Sequence, residues 1–309
     1  MHCRGPPAPG RPCESCPNEL FSRHARGAIG YTGGMDSTPI AFERRGRGHP
    51  LVLLHGLGDR RQSWSGVVPR LSEEYQVFCV DLPGFGSTPA PARDEPYDVF
   101  SLVEAVRGFC ELHGLERPHL AGNSLGGAIA LELATQGVAG SVSVFSPVGF
   151  SGRSARWTMR AVSAFSQLAT RVPLRTKERL ADTAPARAVA RFALRGDPFS
   201  PRARTVRFSV RGLEPGSPWV RLIPRIAEYD FIARAIDCPV MVAWGDRDRM
   251  LPPSSARNAR RRLPDARMVS LLGSGHIPMT DDPVTVAEHI LWTCRSADRE
   301  RELTPSLRS

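Results

Sequence analysis

Short apolar runs alternate with longer amphipathic stretches along the chain from Pro39 onward. The apolar runs predict strands at 51–54, 77–80, 119–121, 142–145, 240–243 and 268–272. Apolar residues at helical spacing predict helices near 61–74, 98–113, 125–136, 254–263 and 283–295. Continuous apolar strands separated by helices need crossover connections, which favour a mostly parallel, doubly wound sheet with helices on both faces. The predicted fold class is therefore α/β.

One stretch interrupts this alternation. From about Phe150 to Arg225 the chain has no strand-like run, only helix-like, arginine-rich sequence broken by prolines. Strand-like sequence returns at Val240, so the simplest interpretation is a helical insertion over one end of the sheet. The predicted organisation is a leader 1–36, an α/β core 37–149 and 226–296, a helical cap 150–225 and a tail 297–309.

The first 36 residues differ in composition from the rest. They are rich in Pro, Gly and Arg and show no hydrophobic period, which is typical of a disordered leader. Met35 follows two glycines and opens the patterned sequence, so Met1 and Met35 are alternative starts.

The composition limits the class of protein. Hydrophobic residues make up 41% of the 309 residues, which excludes collagen-like, coiled-coil and wholly disordered chains. No window approaches the ~18 consecutive apolar residues of a transmembrane helix, and no apolar stretch of signal-peptide length opens the chain. The sequence thus predicts a cytoplasmic protein.

The chain has seven cysteines. Four fall in segments predicted as strand or helix, where buried, reduced thiols are expected: Cys79, Cys110, Cys238 and Cys294. Cys13 and Cys16 form a CxxC that could join Cys3 and His24 in a zinc site. Because no second CxxC supports this alternative, we expect no metal.

The run from Leu120 to Gly127 carries the clearest chemical signal. Gly122-x-Ser124-x-Gly126 lies where a predicted strand ends and a predicted helix begins, the context of a nucleophile elbow. A serine in that strained turn needs neighbours without bulky side chains, and glycine two residues away on either side meets the need. The alternative is a chance glycine-rich turn.

An upstream strand ends in Leu54-His55-Gly56-Leu57-Gly58. After an elbow of this kind, the backbone N–H groups of Leu57 and Leu125 are the expected donors to the oxyanion that forms when a carbonyl is attacked.

Two carboxylates and a histidine follow later strands. Asp246 and Asp248 come directly after the strand at 240–243, and His276 lies four residues past the strand at 268–272. The chain order Ser, Asp, His is the one expected on such a sheet, with His276 as the base that activates Ser124. Either aspartate could be the acid.

With these motifs the sequence resembles the α/β-hydrolase superfamily over roughly residues 39–296. The turn at 81–87 (Asp-Leu-Pro-Gly-Phe-Gly-Ser) is similar to the family's Asp-x-x-Gly-x-Gly-x-Ser turn, and 275–279 to its histidine loop. The resemblance implies that Asp248 is the acid, with Asp246 as the alternative, and that the insertion is a cap that selects the substrate. It implies a serine hydrolase that cleaves a carboxylic ester or related acyl bond through an acyl-enzyme, without a cofactor.

Other activities within the family stay open. Ser124 stands where dehalogenases and epoxide hydrolases of this fold carry Asp, so the sequence departs from those branches. Carbon–carbon bond hydrolases share the Gly-Asn-Ser run but commonly carry Trp after the histidine, where this chain has Ile277. A cofactor-free perhydrolase and a non-hydrolytic, small-molecule-binding member are further alternatives.

The distribution of charge along the chain indicates which molecules the protein binds. Residues 151–225 carry a net charge of +12, whereas the rest of the chain has −2. This pattern favours a small acyl substrate that is anionic or lipid-like, or else a solvated, arginine-rich helix face. Although the pI is near 9.9, no nucleic-acid-binding motif is present, so no nucleic-acid partner is expected. The sequence leaves the oligomeric state open.

Overall fold

The structure is a computed structural model that describes residues 39–181, 183–185 and 214–303. In these ranges the strands are β1 Phe42–Arg45, β2 Pro50–Leu54, β3 Gln76–Val80, β4 His119–Asn123, β5 Ser141–Phe145, β6 Val240–Gly245 and β7 Arg267–Leu271. The helices are α1 Val68–Leu71, α2 Val99–Leu112, α3 Leu125–Thr135, α4 Arg153–Ala169, α5 Leu174–Ala181, α6 Pro218–Glu228, α7 Pro253–Arg262, α8 Pro278–Asp281 and α9 Pro283–Leu303.

The strands form one sheet in the order β1-β3-β2-β4-β5-β6-β7. Only β1 runs antiparallel to its neighbour. The order reverses between β2 and β4, where Leu54 pairs with Gly122. In open α/β sheets, ligands bind outside the carboxyl ends of the strands at such a reversal. The loop after β2 and the turn after β4 therefore meet where a site is expected.

Helices cover both faces of the sheet, which explains the continuous apolar strands. Val52 and Leu54 of β2 face one apolar cluster, which includes residues of α2, α3, α6 and α7. Leu51 and Leu53 face a second cluster, which includes residues of α1 and α9. Because both faces of the strand are buried, neither set of alternate positions can be polar. The mostly parallel α/β class predicted from the sequence is confirmed.

Three elements differ from the sequence prediction. The helix expected at 61–74 is a 3₁₀ turn, Arg61–Trp64, followed by the short α1. Arg61 N–H donates to Asp81 Oδ1 at 2.7 Å, which fixes this segment to the turn after β3. The edge strand β1 was missed because three of its four residues are charged. The helix α9 continues past 296 into the expected tail, because Ala297 is buried and Asp298 accepts a hydrogen bond from Tyr75 at 2.8 Å.

The turn at 81–87 forms a buried ion-pair network. Asp81 is fully buried, and its carboxylate accepts from the backbone N–H of Arg61 and of Ser87, the latter at 2.8 Å. It also pairs with the Arg61 guanidinium. A buried carboxylate with this many partners is electrostatically satisfied, so the network anchors the residues that follow the β2 loop.

The cap and the terminal segments are described in part. Within the predicted cap 150–225 the structure has α4, α5 and α6, and α6 runs on to Glu228. The predicted leader 1–36 and the cysteine and histidine side chains of the zinc alternative lie outside the described residues. None of the helices in the described ranges is long and apolar enough to cross a bilayer.

The described cysteines are Cys79, Cys110 and Cys294, all buried, and Cys238. Cys238 lies in an irregular segment before β6, not in a strand. Burial raises the pKa of the Cys110 thiol to about 12, so it stays neutral at physiological pH. Within the part of the chain that the structure describes, no group of three His, Cys, Asp or Glu side chains could hold a metal ion.

Candidate active site

Ser124 lies on a sharp turn between β4 and α3. Its backbone has φ +54° and ψ −111°, a conformation that L-residues rarely adopt and that places strain at this single residue. A Cβ added at Gly122 would lie 2.2 Å from Gly126 O, and one added at Gly126 would lie 2.3 Å from Leu54 O. Both glycines are therefore required by close backbone contacts around the turn, as the sequence pattern suggested.

The side chains of Ser124, His276 and Asp248 form a hydrogen-bonded chain. His276 Nε2 lies 3.0 Å from Ser124 Oγ, and His276 Nδ1 lies 2.8 Å from Asp248 Oδ2. A carboxylate can only accept, so Nδ1 carries the proton and Nε2 has a lone pair for the serine hydroxyl. All three residues are buried. The arrangement can remove a proton from Ser124 as its oxygen attacks an electrophile.

The two candidate acids have different surroundings. Asp248 is buried, and its Oδ1 accepts from the N–H groups of Met250 and Leu251, each at 2.9 Å, which leaves Oδ2 for the histidine. Asp246 is exposed, and its Oδ1 accepts from Gly273 N–H at 2.8 Å. The geometry thus brings Asp248, and not Asp246, to His276.

The two predicted oxyanion donors lie at the pocket wall. Leu125 is the first residue of α3, so its N–H has no intrahelical acceptor. Leu57 lies in the loop after β2, which the buried His55 holds in place. Leu82 N–H donates to His55 Nε2 at 2.9 Å, so His55 Nδ1 carries the proton and donates to Gly56 O at 2.8 Å. Burial lowers the pKa of His55, which keeps it in this neutral form.

Asn123 makes hydrogen bonds in the site that were not predicted from the sequence. Its amide donates to His276 O at 2.9 Å and to Phe145 O at 3.0 Å. The side chain is buried, so it ties the histidine loop to the end of β5 beside the elbow. Its place between Gly122 and Ser124 was visible in the sequence, but its partners are 22 and 153 residues away.

A pocket of about 800 Å³, including its open mouth, lies above Ser124 and His276. Its apolar lining comes from the core and from the cap: Leu57, Leu125, Val148, Val162, Trp219, Ile223, Ile226, Met250, Leu251 and Ile277. The sequence does not single out the lining residues Val162, Trp219, Ile223 and Ile226 of α4 and α6, because an amphipathic pattern does not reveal which side of a helix covers the sheet.

Asp59 is a further lining residue that the sequence analysis missed. It follows the β2 loop, is partly buried, and accepts from the backbone N–H of Arg60 at 2.9 Å. Burial raises the pKa of the Asp59 carboxyl above its usual value. The described lining contains no Arg or Lys, so beyond the three hydrogen-bonded side chains this carboxyl is the ionisable group that a bound molecule would meet.

Comparison with known proteins gives a consistent result. Residues 49–283 match the family model described as alpha/beta hydrolase fold. The chain is 30% identical over 264 residues to pimeloyl-[acyl-carrier protein] methyl ester esterase of Aeromonas hydrophila, an alignment covering 82% of this chain and 99% of that protein. A shorter match, 35% identical over 101 residues, links it to 2-hydroxy-6-oxo-6-phenylhexa-2,4-dienoate hydrolase of Comamonas testosteroni and covers 31% of this chain and 35% of that protein.

The fold also recurs among solved structures. The structure of a protein from Acinetobacter baumannii superimposes with a TM-score of 0.71 at 24% identity. The superposition covers 86% of this chain and 91% of that one. At this level of identity the likeness concerns the fold.

Proposed function

The chain belongs to the alpha/beta hydrolase family, and on that premise we propose that it is a serine esterase that cleaves carboxylic esters through a covalent acyl-enzyme. The observation that carries the proposal is the chain of hydrogen bonds from Ser124 Oγ to His276 and on to Asp248, 3.0 and 2.8 Å long, on the floor of an apolar pocket. Hydrolase activity is common to the curated relatives named above.

In this mechanism Ser124 Oγ attacks the ester carbonyl while His276 Nε2 takes its proton. Asp248 holds the imidazole in the required tautomer and stabilises its protonated form. The N–H groups of Leu57 and Leu125 donate to the oxyanion. The protonated His276 then gives its proton to the leaving alcohol, and a water molecule, activated by the same histidine, releases the acid and restores Ser124.

The pocket supports an uncharged, apolar acyl group as the substrate class. Its described lining is almost wholly apolar, and a negative charge placed near Asp59 would meet a carboxyl of like sign. The Aeromonas relative is, by its name, an esterase of a methyl ester. The Comamonas relative, by its name, acts on a dienoate, which carries a carboxylate. No cation in the described lining would pair with that group, which favours the ester over the carbon–carbon substrate.

A test combines covalent labelling with turnover. A fluorophosphonate should label Ser124, identified by the mass of its peptide, and nitrophenyl esters of increasing acyl length should be hydrolysed with a preference for apolar acyl groups. Ser124→Ala is the control and should be neither labelled nor active.

Other outcomes would contradict the proposal. Labelling without turnover of any ester would favour a non-hydrolytic, ligand-binding member of the family. Peracid formation that exceeds hydrolysis when hydrogen peroxide is supplied would favour a perhydrolase. Cleavage of a dienoate faster than any ester would favour a carbon–carbon bond hydrolase.

A further inference from the structure

The two sides of α4 differ in an unusual way. Its inner face contributes Val162 to the pocket and packs on α6, where Trp219 Nε1 donates to Ser166 Oγ at 3.3 Å and Gln167 Nε2 to Val220 O at 3.0 Å. Among the side chains of α4 that the structure describes, five apolar ones are exposed on its outer face: Trp157, Ala161, Ala164, Phe165 and Leu168. The exposed fractions of Trp157, Phe165 and Leu168 are 70%, 68% and 57%. The solvent side of this helix is thus more apolar than a surface helix normally is.

The helix α2 also exposes Phe100 and Leu112, but charged side chains share its solvent side. Its exposed side carries Glu104 and Glu111, which pair with Arg107. In α4, by contrast, the residues 161–169 include no charged side chain at all. The apolar outer face is therefore a local property of the cap and not a general property of this protein's helices.

The exposed charged side chains described on α4 and on the following turn and helix are all arginines, whereas Glu178 on α5 is half-buried. Exposed arginines occur at its edge and along the following turn and helix: Arg160, Arg171, Arg175 and Arg179. Lys177 is not part of this set, because it is buried and pairs with Glu214 at 2.7 Å. The Arg160 guanidinium lies 5.9 Å from the Trp157 ring centroid. Apolar and aromatic side chains flanked by arginines match a membrane interface with anionic headgroups, where the rings enter the acyl boundary and the guanidinium groups meet phosphates.

We propose that the outer face of α4 docks on the surface of a membrane that contains anionic lipid. The positive charge of this surface argues against two other molecules that could cover it, a second copy of the chain and the chain's own segment 186–213. A second copy in a symmetric dimer would place the same arginines against one another. The segment 186–213 of this chain carries seven arginines and one acid, so it has the same sign as the surface it would cover. This inference goes beyond the proposed esterase function, and because binding is measured without turnover, either can fail alone.

The test is co-sedimentation of the full chain with vesicles of phosphatidylcholine alone and of phosphatidylcholine with phosphatidylglycerol. We expect binding to the anionic vesicles to be ~10-fold tighter and to weaken with added salt. Trp157→Ser/Leu168→Ser should reduce that binding ~10-fold or more, because both side chains lose apolar area that enters the membrane. Arg160→Gln/Arg171→Gln should weaken binding to anionic vesicles and leave the weak binding to neutral ones unchanged.

A matched control uses one exposed Trp and one exposed Leu elsewhere, Trp292→Ser/Leu112→Ser, which should bind as the unmodified protein does. Hydrolysis of a short, soluble nitrophenyl ester should be equal in all variants. Equal losses in the Trp157/Leu168 and Trp292/Leu112 variants would overturn the proposal, as would equal binding to both kinds of vesicle. It would also fail if the protein were a dimer that bound no vesicles and that Trp157→Ser/Leu168→Ser converted to monomers.

Discussion

At the carboxyl edge of the sheet the polar side chains of the candidate site have fixed partners, whereas α4 and α6 above it contribute mainly apolar surface. Ser124, His276, Asp248 and Asn123 are buried, and each makes at least one hydrogen bond of 3.0 Å or less. The part of the cap that lines the pocket shapes it by the size of apolar side chains such as Val162 and Trp219.

The difference follows from how each region is anchored. The four polar residues lie at or just beyond the ends of strands whose register is fixed by backbone hydrogen bonds, and further hydrogen bonds, such as that from Asn123 to His276 O, hold the loops that follow. The helices α4 and α6 have no such register and depend on side-chain packing and on two side-chain hydrogen bonds between them. Changes at the edge should therefore affect the chemical step, and changes in the cap should affect which ester is accepted.

The largest expected effect is that of Ser124→Ala. Ester hydrolysis should fall by ~10³-fold or more, because no acyl-enzyme can form. His276→Ala should be equally damaging. The control is Ser143→Ala, since Ser143 is a buried serine on the neighbouring strand β5 whose hydroxyl has no partner among the described residues. Initial rates with a nitrophenyl ester measure the loss, and a folded Ser124→Ala enzyme that retained a tenth of the activity would refute the role of Ser124.

The two aspartates should differ almost as much. Asp248→Asn should reduce kcat by ~10³-fold, because an amide in place of the carboxylate favours the wrong histidine tautomer. Asp246→Asn should change kcat less than ~3-fold, since the exposed Asp246 side chain accepts from Gly273 N–H and that hydrogen bond survives with the amide oxygen. Steady-state kinetics of both variants decide between them. The reverse ranking would move the acid role to Asp246.

A smaller effect is expected for Asn123→Ala. Loss of the hydrogen bond to His276 O should let the histidine loop shift, so kcat should fall ~10- to 100-fold while KM changes little. Asn258→Ala removes a similar side-chain bond to a backbone carbonyl, Phe150 O at 3.0 Å, away from the histidine loop. Equal losses of kcat in the two variants would mean that Asn123 acts through general stability alone.

Substitutions in the cap should change which ester the enzyme prefers and not the rate of the chemical step. Val162→Phe enlarges a lining residue of α4 and should lower kcat/KM for long acyl chains ~10-fold relative to acetyl esters, because the added ring fills the pocket. Val172→Phe, at a partly exposed position beyond the end of α4, should leave the acyl-length profile unchanged. The measurement is kcat/KM over a series of nitrophenyl esters. An unchanged profile in Val162→Phe would place the acyl chain elsewhere.

The same contrast explains what could be predicted from the sequence. Gly122 and Gly126 around Ser124 form a local pattern with a direct backbone cause. The chain order of the later carboxylates and histidine is the one expected on such a sheet. The role of Asn123 could not be predicted, because its hydrogen-bond partners, Phe145 O and His276 O, are distant in sequence. The N–H groups of Met250 and Leu251 orient Asp248 toward the histidine. The spacing of residues in the sequence does not show where these N–H groups point, so it could not decide between Asp246 and Asp248. In the predicted cap, the stretches between prolines indicate helices and the arginines indicate charge, but neither shows which side of a helix faces the pocket.

The smallest expected effect concerns the cationic cap. The net charge of +12 over residues 151–225 would attract an anionic ester, but the described pocket lining has no Arg or Lys that could hold it. The attraction should therefore act on the encounter rate and be screened within ~8–10 Å at physiological salt. For an ester with a remote carboxylate, kcat/KM should fall ~3- to 10-fold between low and physiological salt, while kcat stays constant. A neutral ester of the same size should show a flat profile, and Arg160→Gln/Arg171→Gln should reduce the slope for the charged ester. Parallel salt profiles for the two esters would mean that the charge of the cap does not steer the substrate. The arginines would then form an ordinary solvated helix face, which keeps the protein soluble or binds another partner.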